Sequence, residues 1–393
     1  MKAVILGAGR IACGLAGQLL RDSGHEVVFA VRNQSLMDHL NRVGRYRVRL
    51  AGRETRETMV EGIRAVAAGN TELVASEIAG AGLVITSVGS DNLMDICGLL
   101  AAGIERRTEP INILAFENSG GAGAFLRKYV GRRLPEGFPL DRHGFAGVLI
   151  TRAVTQRLGD PDSDEPLTFV GDAYSRFIVD GTDLRGTLPH IEGMLVTDNY
   201  EAWVQKKFCM FSAAHATTAY LGHLKGYRYV HTAIRDPQIR ASVLALIKEG
   251  QQGLAARYGG EIAGDESDRQ EVLDRIGNAL LCDPIVRVGR EPGRKLRGND
   301  RLVGTARLAE AAGVEPRNLG LAVAAALFFN NYKDPSAFEL HHQVSTEGGA
   351  ATIQKFCGTD TLVGRIAEDN WHRLYERWQH GRVLIDLENM SWN

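Results

Sequence analysis

Residues 2–6 (KAVIL) form an unbroken apolar run, the pattern of a strand buried on both faces. Directly after it, Gly7-Ala8-Gly9 leads into a stretch whose apolar residues Ile11, Leu15, Leu19 and Leu20 share one helical face. Strand, glycine turn and helix are predicted in that order. A second strand is expected over Glu26–Val31, after the break Ser23-Gly24-His25, and short apolar runs recur at Leu83–Thr86 and Ile111–Phe116 with helix-like stretches between them. This β-α-β alternation predicts a parallel, doubly wound sheet. Two weaker strand candidates, Gly147–Val154 and Leu167–Val170, flank Gly159–Pro166, whose sequence GDPDSDEP reads as a surface loop. Beyond Thr197 the period changes to 3.6, through Trp203, Phe208, Phe211 and Leu221, then Leu244, Leu246 and Ile247, and later Leu319–Phe328 and Trp371–Trp378. The expected architecture is an α/β domain over residues 1–195 followed by an all-helical domain over 196–393.

Composition narrows the classes. A chain of 393 residues exceeds one compact core and suits two domains. With 46 Lys+Arg against 47 Asp+Glu the net charge is −1, so no global positive field draws the chain to nucleic acid or anionic lipid. The longest apolar stretch, around Leu321–Phe329, falls well short of a bilayer span. The five cysteines are scattered and never in a C-x-x-C pair, which reads as reduced core residues and not as a disulfide framework or zinc site. The opening MKAVILGAG lacks the pattern of a signal peptide, so a cytoplasmic protein with no membrane partner is expected. No His/Asp/Glu cluster has metal-ligand spacing, and no metal is expected.

Three blocks carry candidate chemistry. Gly7-x-Gly9-x-x-Ala12 sits between strand and helix, where small residues let backbone N–H groups approach a pyrophosphate at the positive helix N-terminus. A tight turn that needs glycine only for packing is the alternative. At the end of the second strand, where an NAD site usually places a carboxylate on the ribose 2′-hydroxyl, this chain has Val31-Arg32-Asn33. A guanidinium there suits a 2′-phosphate, which favours NADP(H), although Arg32 also fits a plain solvated loop.

The second block runs from Lys206 to Gly222. On an uninterrupted helix Lys207 and His215 would stand ~80° apart around the axis, close enough in direction to face one cleft. Taken alone, they also read as a solvated lysine and a core histidine. The third block, Arg287 to Arg301, holds six basic and two acidic residues in fifteen positions around glycine and proline. Arginine forks at such a turn suit a phosphate or carboxylate, and an ion-paired loop is the alternative. Lacking interleaved aromatics, the block does not read as a nucleic-acid surface.

Placed in order, these blocks resemble the polyol-specific long-chain dehydrogenase/reductase family, and within it the mannitol-1-phosphate 5-dehydrogenase branch. The matching stretches are Leu6–Ile11, Phe29–Gln34, Thr86–Gly89, Ala115–Asn118, Phe177–Asp180, Thr187–Asn199, Lys207–Gly222 and Arg287–Leu302. The resemblance extends to about residue 378. It implies a Rossmann-type N-terminal domain, an all-helical substrate domain, and hydride transfer between a nicotinamide and an open-chain polyol or ketose. The family's K-x4-N-x2-H motif places the general acid/base at Lys207 and an orienting or substrate-binding group at His215. Asn118 would contact substrate or the nicotinamide region, and Gly7, Ala8, Gly9, Arg10, Ile11, Arg32, Asn33, Val88 and Gly89 complete the expected cofactor set.

Departures accompany the match. The motif asparagine is Ser212, and the family's V-D-R-I segment reads Ile150-Thr151-Arg152-Ala153. Thr151 and Arg152 are expected at the substrate, and Arg287, Arg290, Arg294 and Lys295 at its phosphate, with Arg294 and Lys295 foremost. The leading expectation is an NADP(H)-preferring, metal-independent dehydrogenase of a phosphorylated polyol or ketose, working as a monomer or small homo-oligomer. The alternatives are NAD-dependent interconversion of mannitol 1-phosphate and fructose 6-phosphate, and a cofactor-binding regulatory protein that has lost catalysis.

Overall fold

The computed structural model describes residues 1–379 apart from 53 and 119, so the helical expectation for 380–393 lies outside the described residues. The chain divides into two compact units, Met1–Tyr200 and a second beginning at Glu201.

Among its described residues the first unit holds twelve strands: β1 (Lys2–Leu6), β2 (Glu26–Val31), β3 (Arg45–Ala51), β4 (Thr55–Glu61), β5 (Ile63–Ala67), β6 (Leu83–Thr86), β7 (Asn112–Ala115), β8 (Gly144–Ile150), β9 (Val154–Leu158), β10 (Thr168–Asp172), β11 (Phe177–Asp180) and β12 (Met194–Thr197). Eight of them form one sheet in the order β12-β11-β8-β7-β6-β1-β2-β5. The run from β8 to β5 is parallel throughout, and β11 joins β8 antiparallel. The chain leaves β1 for one side of the sheet and later returns on the other, so the order reverses between β1 and β6. Ligand crevices form at such a switch point, beyond the carboxyl ends of the strands. β1 is fully buried from Ala3 onward because helices cover both faces, one of them the helical stretch 12–22 that is backed by a second sheet, which explains its unbroken apolar run.

The predicted strands β1, β2 and β6 stand as read. The candidate at Gly147–Val154 is instead two strands, β8 and β9, broken at 151–153. There Arg152 turns inward and the backbone N–H of Ala153 donates to Asp172 Oδ2 at 3.0 Å. The second sheet, β4-β3-β10-β9, was not anticipated. Its β3 alternates Tyr46 and Val48 inward with arginines outward, and Arg45 and Arg49 face Glu61 and Glu57 across the ladder.

The helix after the glycine turn contains a π segment, Ala12–Gly17. Such a segment loosens the backbone ladder, and two carbonyls within it accept side-chain bonds. Tyr46 donates its hydroxyl to Cys13 O at 3.0 Å, and Arg152 Nη1 donates to Gly14 O at 2.8 Å. A Cβ at Gly17 would stand 2.5 Å from the Tyr46 hydroxyl, so glycine is required for this approach. The cofactor-type helix is thereby clamped from the second sheet.

The second unit is built of helices, and among its described residues no strand occurs beyond an isolated bridge between Tyr229 and Pro284. Its central helix, Pro237–Tyr258, starts at Asp236, whose carboxylate accepts from the N–H groups of Gln238 and Ile239 at 3.0 and 3.1 Å. Two glycines on this helix bring neighbours close. A Cβ at Gly250 would lie 3.0 Å from Cys209 O, and one at Gly253 would lie 2.8 Å from the Leu308 backbone. The segment bearing Lys207 therefore rests directly on the central helix.

Candidate functional site

In the first unit the glycine turn meets the demands of a dinucleotide cradle. Gly7 has φ +107°, and a Cβ there would stand 2.3 Å from Ser87 O, so only glycine fits. Gly9 differs: a Cβ there would meet nothing within 4 Å, so the bare backbone faces open space at the start of the helix. A cradle that a side chain would fill fits the approach of a pyrophosphate. Ala8 is buried beside the turn, Ile11 packs on the core, and Arg10 Nη1 donates to Thr155 O at 2.6 Å.

The loop after β6 forms the other wall. Val88 and Gly89 each donate a backbone N–H to Glu117, one to each carboxylate oxygen, both at 2.9 Å. Burial raises the Glu117 carboxyl above its ordinary range, against the pull of these bonds and that of Thr86. Glu117 thus pins the loop while Asn118, next in the chain, stays exposed. Asn33 uses its side chain to cap the following helix, accepting from the Leu36 N–H at 2.8 Å. Arg32 reaches Asp95 at 3.1 Å, with both side chains more than half exposed. Asp95 lies in the first turn of the helix Leu93–Glu105.

Arg152, expected at the substrate, is buried and bonded within the first unit. It is 3 % exposed and donates to Tyr174 O, Gly14 O and Gln18 Oε1 at 2.8, 2.8 and 2.5 Å, which ties β8 to the cofactor-type helix. Burial brings its guanidinium down to about 10. Thr151 Oγ1 donates to Arg176 O.

In the second unit Lys207 ends the helix Tyr200–Lys207, and a π segment, Phe208–Ser212, separates it from Ala213–Leu224, which carries His215. The expected uninterrupted helix is corrected here, because the widened turn shifts the angle between the two side chains. Lys207 is half-buried. Burial, aided by the positive charges of Arg301 and Arg275, lowers its ammonium to about 8. Those arginines are held over aromatic rings, Arg275 4.2 Å from the Phe211 centroid and Arg301 5.4 Å from that of Phe208. Ser212 is buried on the π segment.

His215 Nε2 lies 3.5 Å from Asp283 Oδ2, and Asp283 also accepts from Arg287 Nε at 2.5 Å. Burial lowers the imidazole below its ordinary value despite Asp283, so His215 is neutral near pH 7. Burial alone would raise Asp283, but its bonds from His215 and Arg287 outweigh that and hold it below the usual carboxylate range. Lys295 is buried, donates to Val288 O and Arg290 O, and is lowered to about 7 by burial and by the charges of Arg301 and Arg294. Arg294 pairs with Glu291 at 2.6 Å. Of the four basic residues expected at a phosphate, Arg290 is the exposed one whose guanidinium makes no ion pair among the described residues.

A separate cavity of about 440 Å³ in this unit is bounded by Gln205, Arg257, Asn299 and Arg307, and no expected site residue lines it. Among the described residues no group of acidic, histidine or cysteine side chains could hold a metal ion, and no helix is long and apolar enough to cross a membrane. Sequence reasoning missed Asp95, Glu117 and Asp283, and held Arg301 only as the end of the basic block without singling it out. Asp283 carried a local signal, standing four residues before Arg287.

Two family models match in tandem, the mannitol dehydrogenase Rossmann domain over residues 1–193 and the mannitol dehydrogenase C-terminal domain over 199–368. The chain belongs to the mannitol dehydrogenase family. It is accordingly an NAD(P)-dependent oxidoreductase acting on CH–OH groups. Among solved structures, Pseudomonas fluorescens mannitol 2-dehydrogenase in ternary complex with NAD and D-mannitol is similar at 16 % identity and TM-score 0.74, covering 98 % of this chain and 92 % of that one. A substrate-free D-sorbitol dehydrogenase is similar at 14 % identity and TM-score 0.79, covering 97 % and 94 %. At these identities the likeness is one of fold.

Proposed function

We propose that this member of the mannitol dehydrogenase family exchanges hydride between NADP(H) and a phosphorylated polyol or ketose, with Lys207 as general acid/base. The nicotinamide, when bound, takes hydride from or gives it to the reacting carbon. In oxidation neutral Lys207 accepts the carbinol proton; in reduction the ammonium returns it to the carbonyl oxygen. The observation that carries this reading is the lowered Lys207, a lysine able to hold and release a proton near neutrality. Neutral His215, oriented by Asp283, together with Ser212 would position the reacting oxygen, and Asn118 would contact the nicotinamide region.

Gly7 to Ile11, Val88 and Gly89 would hold the dinucleotide, with Arg32 toward a 2′-phosphate. Arg290, accessible and outside any ion pair among the described residues, is the first candidate for the substrate phosphate, ahead of Arg294 and Lys295.

The test is initial-rate kinetics with mannitol and mannitol 1-phosphate against NAD and NADP, and with fructose and fructose 6-phosphate against the reduced cofactors. A lower KM for the esters is expected, rising in Arg290→Ala. Equal KM values for ester and free sugar would overturn the phosphate assignment, and better efficiency with NAD would overturn the NADP preference. That second outcome has its own support in the Arg32–Asp95 contact and leads to NAD-dependent interconversion of mannitol 1-phosphate and fructose 6-phosphate. Tight NADPH binding without turnover of any of these substrates would make the chain a regulatory protein.

A further inference from the structure

The sheet order places β1 between β2 and β6, so a contact from the end of β2 to the turn beyond β6 spans the mouth above the glycine turn. Arg32 and Asp95 make that contact at 3.1 Å, across 63 residues of chain. Their backbones are held on both sides. Arg32 sits between β2 and the cap formed by Asn33. Asp95 lies in the first turn of the helix Leu93–Glu105, and the preceding loop is held by Glu117 and by Asn92 Nδ2, which donates to Val88 O at 2.9 Å. The two side chains nevertheless remain 57 % and 59 % exposed. Fixed backbones presenting accessible, opposite charges over a crevice describe a recognition element better than a stabilising one, since an exposed pair of this kind contributes little to the fold.

We propose that Arg32 and Asp95 together select the cofactor, resting on the dinucleotide reading of Gly7 to Ile11. With a free ribose, Asp95 accepts from the 2′-hydroxyl, doing from the β6 side what a carboxylate at the end of β2 does elsewhere. With a 2′-phosphate, Arg32 exchanges Asp95 for the phosphate, and the nearby carboxylate repels it. Asp95 is therefore the specificity determinant that limits, without abolishing, the preference for NADP(H) that Arg32 sets, and it leaves NAD(H) a weaker but usable cofactor.

Dissociation constants for NADH and NADPH, measured by fluorescence titration without substrate, test this on the wild type, Asp95→Asn, Arg32→Gln and the double variant. Asp95→Asn should bind NADPH roughly tenfold more tightly and NADH several-fold more weakly, while Arg32→Gln should weaken NADPH roughly tenfold and leave NADH within about twofold. The NADPH effect of Asp95→Asn should shrink in the Arg32→Gln background, where only the direct repulsion between carboxylate and phosphate is relieved. Equal factors for both cofactors, no change in either, or additive effects in the double variant would overturn the proposal while leaving the proposed function intact. Failure of the wild type to bind either dinucleotide would overturn the dinucleotide reading itself, and this inference with it.

Discussion

Replacing Lys207 with arginine keeps the positive charge but removes the capacity to give up a proton. From its ordinary 10.5, Lys207 is lowered to about 8. At pH 7 a lysine of that strength is about 9 % neutral, against about 0.03 % for an unperturbed one, so the environment raises the competent base roughly 300-fold. Oxidative kcat/KM should therefore climb with pH and level off above about 8, because the neutral amine is the form that accepts a proton. In the reductive direction the sign reverses, with the rate constant across acid pH and falling above about 8 as the ammonium is lost. Lys207→Arg should lower kcat by about 10²–10⁴ in both directions with cofactor affinity retained. Arg301→Gln should move the midpoint upward, since a positive charge that disfavours the ammonium is gone. The assay is nicotinamide absorbance across pH 6–10 with saturating cofactor, beside circular dichroism to verify folding. Near wild-type turnover in Lys207→Arg, or a midpoint unmoved in Arg301→Gln, would refute the reasoning.

Four further outcomes separate binding from folding. Gly7→Ala, whose Cβ would strike Ser87 O at a φ of +107°, should cost on the order of 1–3 kcal/mol of stability in urea unfolding. Gly9→Ala, whose Cβ meets open space, should unfold like the wild type yet bind NADH and NADPH more weakly by titration. Tyr46→Phe leaves Cys13 O without its side-chain donor in a buried site and should cost about 1–3 kcal/mol, read from the denaturant midpoint. Asp283→Ala removes the acceptor shared by the partly exposed Arg287 and the neutral His215, and a loss of about 1–3 kcal/mol with a fall in kcat is expected from denaturation and steady-state rates.

Much of the fold was legible along the chain because its signals are local. The apolar run of β1, the glycine turn and the shift to a 3.6-residue period each lie within a short window, and each predicts one backbone geometry. Lys207 and His215 also lie within one short stretch, where a resemblance to the K-x4-N-x2-H motif singled them out as candidates. The second sheet escaped notice although Tyr46 and Val48 alternate with arginines, because a charged hairpin hides its one apolar face. Tertiary structure alone decided the rest. Arg152 is a structural tie because a π segment far earlier in the chain offers it a carbonyl, and no pattern near residue 152 announces that.

The same holds for charge. Composition shows near neutrality and a basic stretch, but which cations remain available depends on where the carboxylates fall in space. Asp283, Glu291 and Asp95 reach Arg287, Arg294 and Arg32, while Arg290 stays accessible. A group's protonation follows from burial and from charges within a few ångströms, and these are set by packing among distant segments. Residue order was thus sufficient for the elements and for singling out Lys207 as the proposed acid/base. The folded chain determined its lowered pKa and the carboxylate that meets Arg32.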